Sequence, residues 1–435
     1  MDKSNYLSFN KFPKLYPREV IIPNWSTDLN NIEFDEEITC YGKGKSYGDV
    51  CLNDDGILLD TKYLNHIISF DNVKGIIKCE AGITLKDILE FIVPKGWFLP
   101  VTPGTKFITL GGAVANDVHG KNHHAAGTFG THVTELDLLR SDNITYQCGP
   151  KKNKDLFSAT IGGLGLTGII KAVEFELIPI ETPYMYVENI KFDNLDAFFD
   201  LNEESENLFP YTVSWVDCST KGKGMGKGIY MRGRHALKSE VDKQFEMKDG
   251  TLPFPLEASF INNLTVKAFN KLFYAKQFSK FTTQIVPFEP YFYPLDMIDG
   301  WEMAYGKNGF LQHQFVLPYT NCKSNMRKIF EEIVNSGMSS FLTVLKSFGD
   351  IKSPGMLSFP RKGITLAIDY RMEGKKTLDL LERIDKIVVN NKGRLYPGKD
   401  ARMKKEHFHY FYPNFNEFLN FKDPNFTSSF YRRIK

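Results

Sequence analysis

Two glycine-dense segments of this 435-residue chain have the composition to bind an anion. YGKGKSYGD runs from Tyr41 to Asp49, and PGTKFITLGGAVANDVHGKNHHAAGTFG runs from Pro103 to Gly130. Glycine tolerates positive φ and lets backbone N–H groups converge on a phosphate without side-chain obstruction. Either segment alone is equally explained by tight turns, but two of them flanking one helical stretch point to a pyrophosphate. A third segment, GGLGLTG, contains G-x-G-x-x-G at Gly163, Gly165 and Gly168. A dinucleotide fold needs that motif after a strand and before a helix. Here helical DLFSAT precedes it and strand-like IIKAVEFEL follows, so a nicotinamide-type site is disfavoured and the glycines are expected to allow close packing or approach of a flat ring. His119, His123, His124 and His132 cluster in the second segment, but no acid or thiol stands among them and no closed-site spacing is met. No metal is expected.

The elements that must position these groups are legible as patterns. TLKDILEFIVPKG reads as a helix: Thr84 and Asp87 have capping-box spacing, Leu85, Ile88, Leu89 and Ile92 share a face, and Pro94 with Gly96 closes it. EITCYGKG, GILLD and GIIKCEAG read as strands, and ELDLLRSDNITYQC as a hairpin turning at Asp142 and Asn143. Beyond Pro183 come longer strands, YTVSWVDC and FLQHQFVLP, and two helices, SNMRKIFEEIVNSG and KKTLDLLERIDKIVVNNKG. KGKGMGKG and the stretch from Thr251 to Pro294 lack clean periodicity and are read as loops. The pattern predicts an α+β nucleotide-binding region followed by a second domain.

Composition narrows the function. With 54 basic and 52 acidic residues the net charge is only +2, so no nucleic-acid partner is expected. The six cysteines show no paired C-x-x-C spacing, which suits a reducing, cytoplasmic setting. The opening MDKSNYLSFNKFPKLYPREV lacks the apolar run of a signal peptide, and no stretch reaches the roughly 18 apolar residues of a membrane span. In the stretch from Thr251 to Pro294, Leu252, Phe254, Leu256, Phe260, Leu264, Phe269, Leu272 and Phe273 interleave with Lys267, Lys271, Lys276 and Lys280. Such a mixture suits either a peripheral membrane surface or an ordinary lid with solvated lysines.

In its order YGKGKSYGD, PGTKFITLGGAVANDVHGKNHH, ATIGGLGLTGI, the chain resembles the FAD-binding domain of the vanillyl-alcohol oxidase superfamily. The likeness to its sugar-oxidising members continues through FYPLDMIDGWEMAYGKNGFLQHQFVLP, FLTVLKSFG and GRLYPGKDARM. It implies a two-part FAD domain at 1–183, a substrate domain on an antiparallel sheet flanked by helices at 184–393, and a returning segment at 394–435. The cofactor residues it implies in the first glycine segment are Gly42, Gly44, Lys45, Ser46, Tyr47, Gly48 and Asp49. In the second they are Pro103, Gly104, Thr105, Thr109, Gly111, Gly112, Asn116, His119 and Gly120, with Gly168, Ile169 and Tyr396 beyond. Asp49 stands where many members carry the histidine that tethers the flavin, so FAD is expected to be non-covalent. Lys45 replaces a common arginine and offers the pyrophosphate a point charge rather than a planar fork.

The same likeness implies Lys399, Lys346 and His119 as catalytic, Lys399 first. It implies Lys121, Phe292, Gln312, Gln314, Lys346, Thr365 and Ala367 at the substrate. Ala367 and Thr365 stand where the similar strings have cysteine and asparagine, and Phe292 where they have tyrosine, which leaves the substrate open. The implied reaction is oxidation of a secondary hydroxyl, C2 of a polyprenylphosphoryl pentose, with a partner reductase completing an epimerisation. An aldonolactone or alditol oxidoreductase on a soluble sugar is the alternative, and a flavin- or lipid-carrier-binding protein without turnover is a third.

Overall fold

The computed structural model describes residues 5–241, 252–253 and 262–435. Helix Leu85–Ile92 forms as its sequence dictates: the Thr84 hydroxyl accepts from the Asp87 N–H, the Asp87 carboxylate accepts from the Thr84 N–H, and Leu85, Ile88, Leu89 and Ile92 are buried. It packs beside a five-stranded antiparallel sheet ordered Ile67–Asp71, Ile76–Glu80, Ile169–Glu176, Val133–Leu139, Thr145–Cys148. A smaller parallel sheet joins Glu19–Ile21, Ile57–Asp60 and Ile38–Tyr41. The two sheets and their short helices make the first, α+β part, with the first glycine segment leaving strand Ile38–Tyr41.

The second part is an eight-stranded antiparallel sheet ordered Phe281–Pro287, Tyr184–Phe192, Gly228–His235, Tyr211–Val216, Thr343–Phe348, Gly363–Arg371, Phe310–Leu317, Arg394–Leu395. Side chains alternate across a strand, so GITLAIDYR divides cleanly. Ile364, Leu366 and Ile368 are fully buried in one core with residues of helices Leu195–Glu206, Cys322–Ser336 and Lys375–Asn390. Thr365, Ala367 and Asp369 take the opposite face, which looks toward the first part.

The stretch from Thr251 to Pro294, expected to be loop, contains helix Asn263–Lys276, edge strand Phe281–Pro287 and helix Phe288–Phe292. Of the described side chains of the first helix only Val266 and Asn270 are buried, and the strand carries Thr282, Thr283 and Gln284. Neither element therefore imprints a strong apolar period on its sequence. Thr251, Phe254, Leu256 and Phe260 lie outside the described residues, as does the side chain of Leu252. No helix among the described residues is long and apolar enough to cross a membrane.

After strand Arg394–Leu395 the chain turns back to the smaller sheet: Ile38 N–H donates to the Asn425 carbonyl at 2.8 Å and Thr427 N–H to the Ile38 carbonyl at 3.0 Å. In the last helix, Ser429–Ile434, the Arg433 guanidinium grips both Asp49 oxygens at 3.0 and 2.6 Å and reaches Asp400 at 3.1 Å. Arg433→Ala leaves two buried carboxylates without their cation, and a loss of about 3–5 kcal/mol is expected. Urea unfolding measures it; an unchanged midpoint would show that the clamp is dispensable.

Candidate active site

The glycine segments and the exposed face of the large sheet enclose a continuous cavity of about 1390 Å³. On the side of the glycine segments its wall includes stretches of bare backbone at Gly42, Gly44, Gly104, Gly111 and Gly112. Gly44 lies at φ +60°, and a Cβ there would sit 2.1 Å from the Tyr41 hydroxyl, so only glycine fits. Thr109 caps the short helix Leu110–Ala115, placing Gly111 and Gly112 against the cavity. Asn116 and His119 follow; the Asn116 side-chain oxygen and the His119 Nδ1 are buried with no partner among the described residues. A peptide-lined cradle with orphaned polar atoms at its inner end fits a dinucleotide carrying a flat heteroaromatic ring.

The opposite wall is set by strand register. Gln312 pairs with Asp369, Gln314 with Ala367, and Thr365 with Lys346, so three neighbouring strands present these side chains on one face. Gln312 Nε2 donates to Asp369 at 2.6 Å, and Gln314 Nε2 donates to His119 Nε2 at 2.9 Å and to the Thr365 hydroxyl at 3.3 Å. Lys399 comes from the turn Pro397–Lys399, with its Nζ 3.6 Å from the centre of the Tyr47 ring. Lys346 donates to the Gly120 carbonyl at 3.0 Å, and Lys121 donates to the Tyr291 carbonyl.

Burial dominates the electrostatics. Loss of hydration brings Lys346 down to about 7, and burial with the charge of Lys346 brings Lys121 to about 7. Lys399 is lowered by burial, partly restored by Asp369 and opposed by Lys346, while burial raises Asp369. His119 is held well below 6.5 by burial and the nearby lysines, hence neutral. The site thus holds amines able to lose their protons near neutrality, next to a carboxyl that resists ionisation.

Every site residue expected from the sequence lines this cavity except Gly48, Asp49 and Ile169. Gly48 is a packing glycine, since a Cβ would lie 1.6 Å from the Asp400 carbonyl oxygen. Asp49 gives its carboxylate to Arg433, and Ile169 is buried in the core under the smaller sheet. The histidines diverge: His124 meets the Phe209 carbonyl at 2.8 Å and His132 that of Ala126 at 2.9 Å. Sequence reasoning passed over Asp369. Its signal was present in GITLAIDY, where an acid two residues beyond Ala367 and four beyond Thr365 must share their face.

A glycine-walled dinucleotide cradle facing a lysine-rich sheet defines a flavin-dependent oxidoreductase. Residues 32–149 match the FAD binding domain family. The chain is 34% identical to decaprenylphosphoryl-β-D-ribose oxidase of Mycolicibacterium smegmatis over 91% of its own length and 88% of that protein's. It is 28% identical to an uncharacterised protein of Streptomyces coelicolor over 81% of this chain and 100% of the other. With L-gulonolactone oxidase of Mus musculus it shares 27% identity over 41% of each chain. The chain belongs to the vanillyl-alcohol oxidase superfamily of FAD-binding oxidoreductases.

Two thiols reach the cavity wall, Cys40 and Cys51, and burial pushes both up to about 12, leaving them protonated and poorly nucleophilic. Asp49, at the position of the usual tether, turns its carboxylate away to Arg433. Acid precipitation is expected to release the yellow chromophore into the supernatant; colour retained by the denatured chain would refute this.

Proposed function

We propose that the enzyme oxidises the C2 hydroxyl of a polyprenylphosphoryl pentose to the ketone, with Lys399 receiving the hydroxyl proton. The observation that carries the chemistry is Lys399 itself, a desolvated amine stacked on Tyr47 of the glycine cradle and lining the cavity. In this reading residues 1–183 and 394–435 hold the cofactor and 184–393 the substrate. Bound FAD supplies the hydride acceptor. As the carbinol C–H bond breaks, the O–H proton passes to the neutral Lys399 amine and the C=O bond forms. Gln312 holds Asp369 beside this reaction, while Gln314 fixes His119 as a neutral hydrogen-bonding group. Lys346 and Lys121, tied to main-chain carbonyls, orient the sugar hydroxyls.

The lipid-linked pentose is favoured by the likeness to the mycobacterial ribose oxidase, which extends over 91% of the chain, against 41% for the lactone oxidase. Ala367 leaves more room at the pocket floor than the cysteine of the similar strings, and Thr365 offers a hydroxyl in place of an amide, so the choice of pentose is a matter for the substrate comparison below. A 2-keto product calls for a reductase that returns the hydroxyl with inverted configuration, and a membrane surface would deliver the substrate. Anaerobic flavin reduction by polyprenylphosphoryl pentoses, compared with free aldonolactones and alditols, tests the reading. Reduction by the soluble sugars alone would replace it with the lactone or alditol activity.

Lys399→Ala is expected to keep FAD while flavin reduction at saturating substrate falls roughly 10²–10⁴-fold. Because the amine must be deprotonated to act, wild-type reduction rises with pH through a value well below the usual 10.5 of lysine, and the variant loses that dependence. Stopped-flow reduction across pH measures both; a near-parental rate removes Lys399 from the mechanism.

A further inference from the structure

The cavity extends well past the reaction site. Its volume of about 1390 Å³ takes in both the glycine cradle and the face of the large sheet. Along that face the lining continues past Lys346 and Ala367. There the register carries the row from Gln314 and Ala367 through Val344 to Trp215. Val213, Met231 and Asn189 form the parallel row on the next strands. The face therefore changes character across the sheet, polar and lysine-bearing at one end, chiefly apolar at the other.

Helix Asn263–Lys276 roofs the apolar end. Phe273 packs on Trp215 with ring centres 4.7 Å apart, Phe269 meets Phe341 at 5.8 Å, and Val266 is buried between roof and floor. The helix is fixed at its centre by Asn270, whose amide donates to Asp217 at 3.0 Å and to the Ser340 carbonyl at 3.1 Å. Outside, Leu264 and Leu272 are 78% and 70% exposed, and Phe278 just beyond the helix is 97% exposed, beside the exposed Lys267 and Lys271. The slot thus opens beneath an element whose outer surface also suits lipid.

We infer that the slot between Trp215, Val213, Met231 and helix Asn263–Lys276 binds the isoprenoid tail of the substrate, holding the first units of the chain while the sugar phosphate occupies the polar end. This rests on the reading of the substrate as lipid-linked. A polar head with a long apolar tail is the ligand that matches a continuous cavity graded from lysines to Val, Met, Trp and Phe. A soluble lactone or alditol would leave the apolar half wetted and unused. Tail burial acts on binding and not on the hydride step, because the slot holds no group that touches the reacting carbon.

The test is calorimetric binding of farnesyl phosphate to the FAD-loaded enzyme, with inorganic phosphate as the chainless control. The wild type is expected to bind farnesyl phosphate at least about tenfold more tightly than phosphate, since each buried methylene contributes about 0.8 kcal/mol. Met231→Trp fills the floor, and Phe269→Asp sets a charge in a half-exposed position of the roof, where the fold tolerates it. Each is expected to weaken farnesyl phosphate binding tenfold or more with phosphate binding and flavin content unchanged. No preference for the isoprenoid in the wild type, or parental affinity in both variants, overturns the tail site. If polyprenylphosphoryl pentoses fail to reduce the flavin while farnesyl phosphate still binds in a Met231-dependent way, the tail site stands and the substrate reading falls.

Discussion

The Arg433 clamp on Asp49 and Asp400 ties together three stretches of chain that are far apart in sequence. Asp49 ends the first glycine segment, Asp400 directly follows Lys399, and Arg433 is two residues before Lys435. The fit leaves no slack: Gly48 touches the Asp400 carbonyl, and the Tyr47 N–H donates to the Gly398 carbonyl at 3.0 Å. Tyr47 and Lys399 can stack only because this junction is closed. One guanidinium with a forked donor set serves two carboxylates at once, which a lysine could not do. The position that serves many relatives as a flavin tether here serves the architecture instead.

From that junction the chemistry follows through desolvation. Lys121, Lys346 and Lys399 would each be an ordinary ammonium in water, and among the described residues none has a carboxylate within ion-pair distance. Main-chain carbonyls and an aromatic face solvate them instead, which stabilises the ammonium less than a carboxylate would. Each lysine also raises the cost of charging the others. The arrangement keeps neutral amine available without a dedicated base, and a buried acid, Asp369, is held by Gln312 where its charge moderates Lys399.

Local rules made much of this visible in advance. The capping box at Thr84, the hairpin at Asp142 and Asn143, and the reversed order around Gly163 follow from spacing alone, and all three take the expected form. The glycine segments could be seen as cradles because bare backbone is itself a chemical signal. Asp49 and Gly48 were misplaced because likeness assigns a position and not a direction, and the partner that turns Asp49 away lies 384 residues on. Helix Asn263–Lys276 was missed because tertiary contacts at a few residues, Asn270 above all, hold it against a polar and exposed exterior. Asp369 needed only strict two-residue alternation, applied from Thr365 onward.

The shallow seating of that helix has a thermodynamic consequence. It contributes no strand to the sheet, and of its described side chains only Val266 and Asn270 are buried. Its detachment breaks the two amide hydrogen bonds of Asn270 and those of the Tyr274 hydroxyl to the Phe192 carbonyl and Asp193, and uncovers Trp215, while the eight-stranded ladder beneath remains intact. The molecule accordingly has two scales of opening: a global one governed by the sheet and the Arg433 junction, and a local one far lower in free energy. Amide protons of residues 263–276 would exchange through the second, reporting a roof that lifts many times within the lifetime of a single folded molecule.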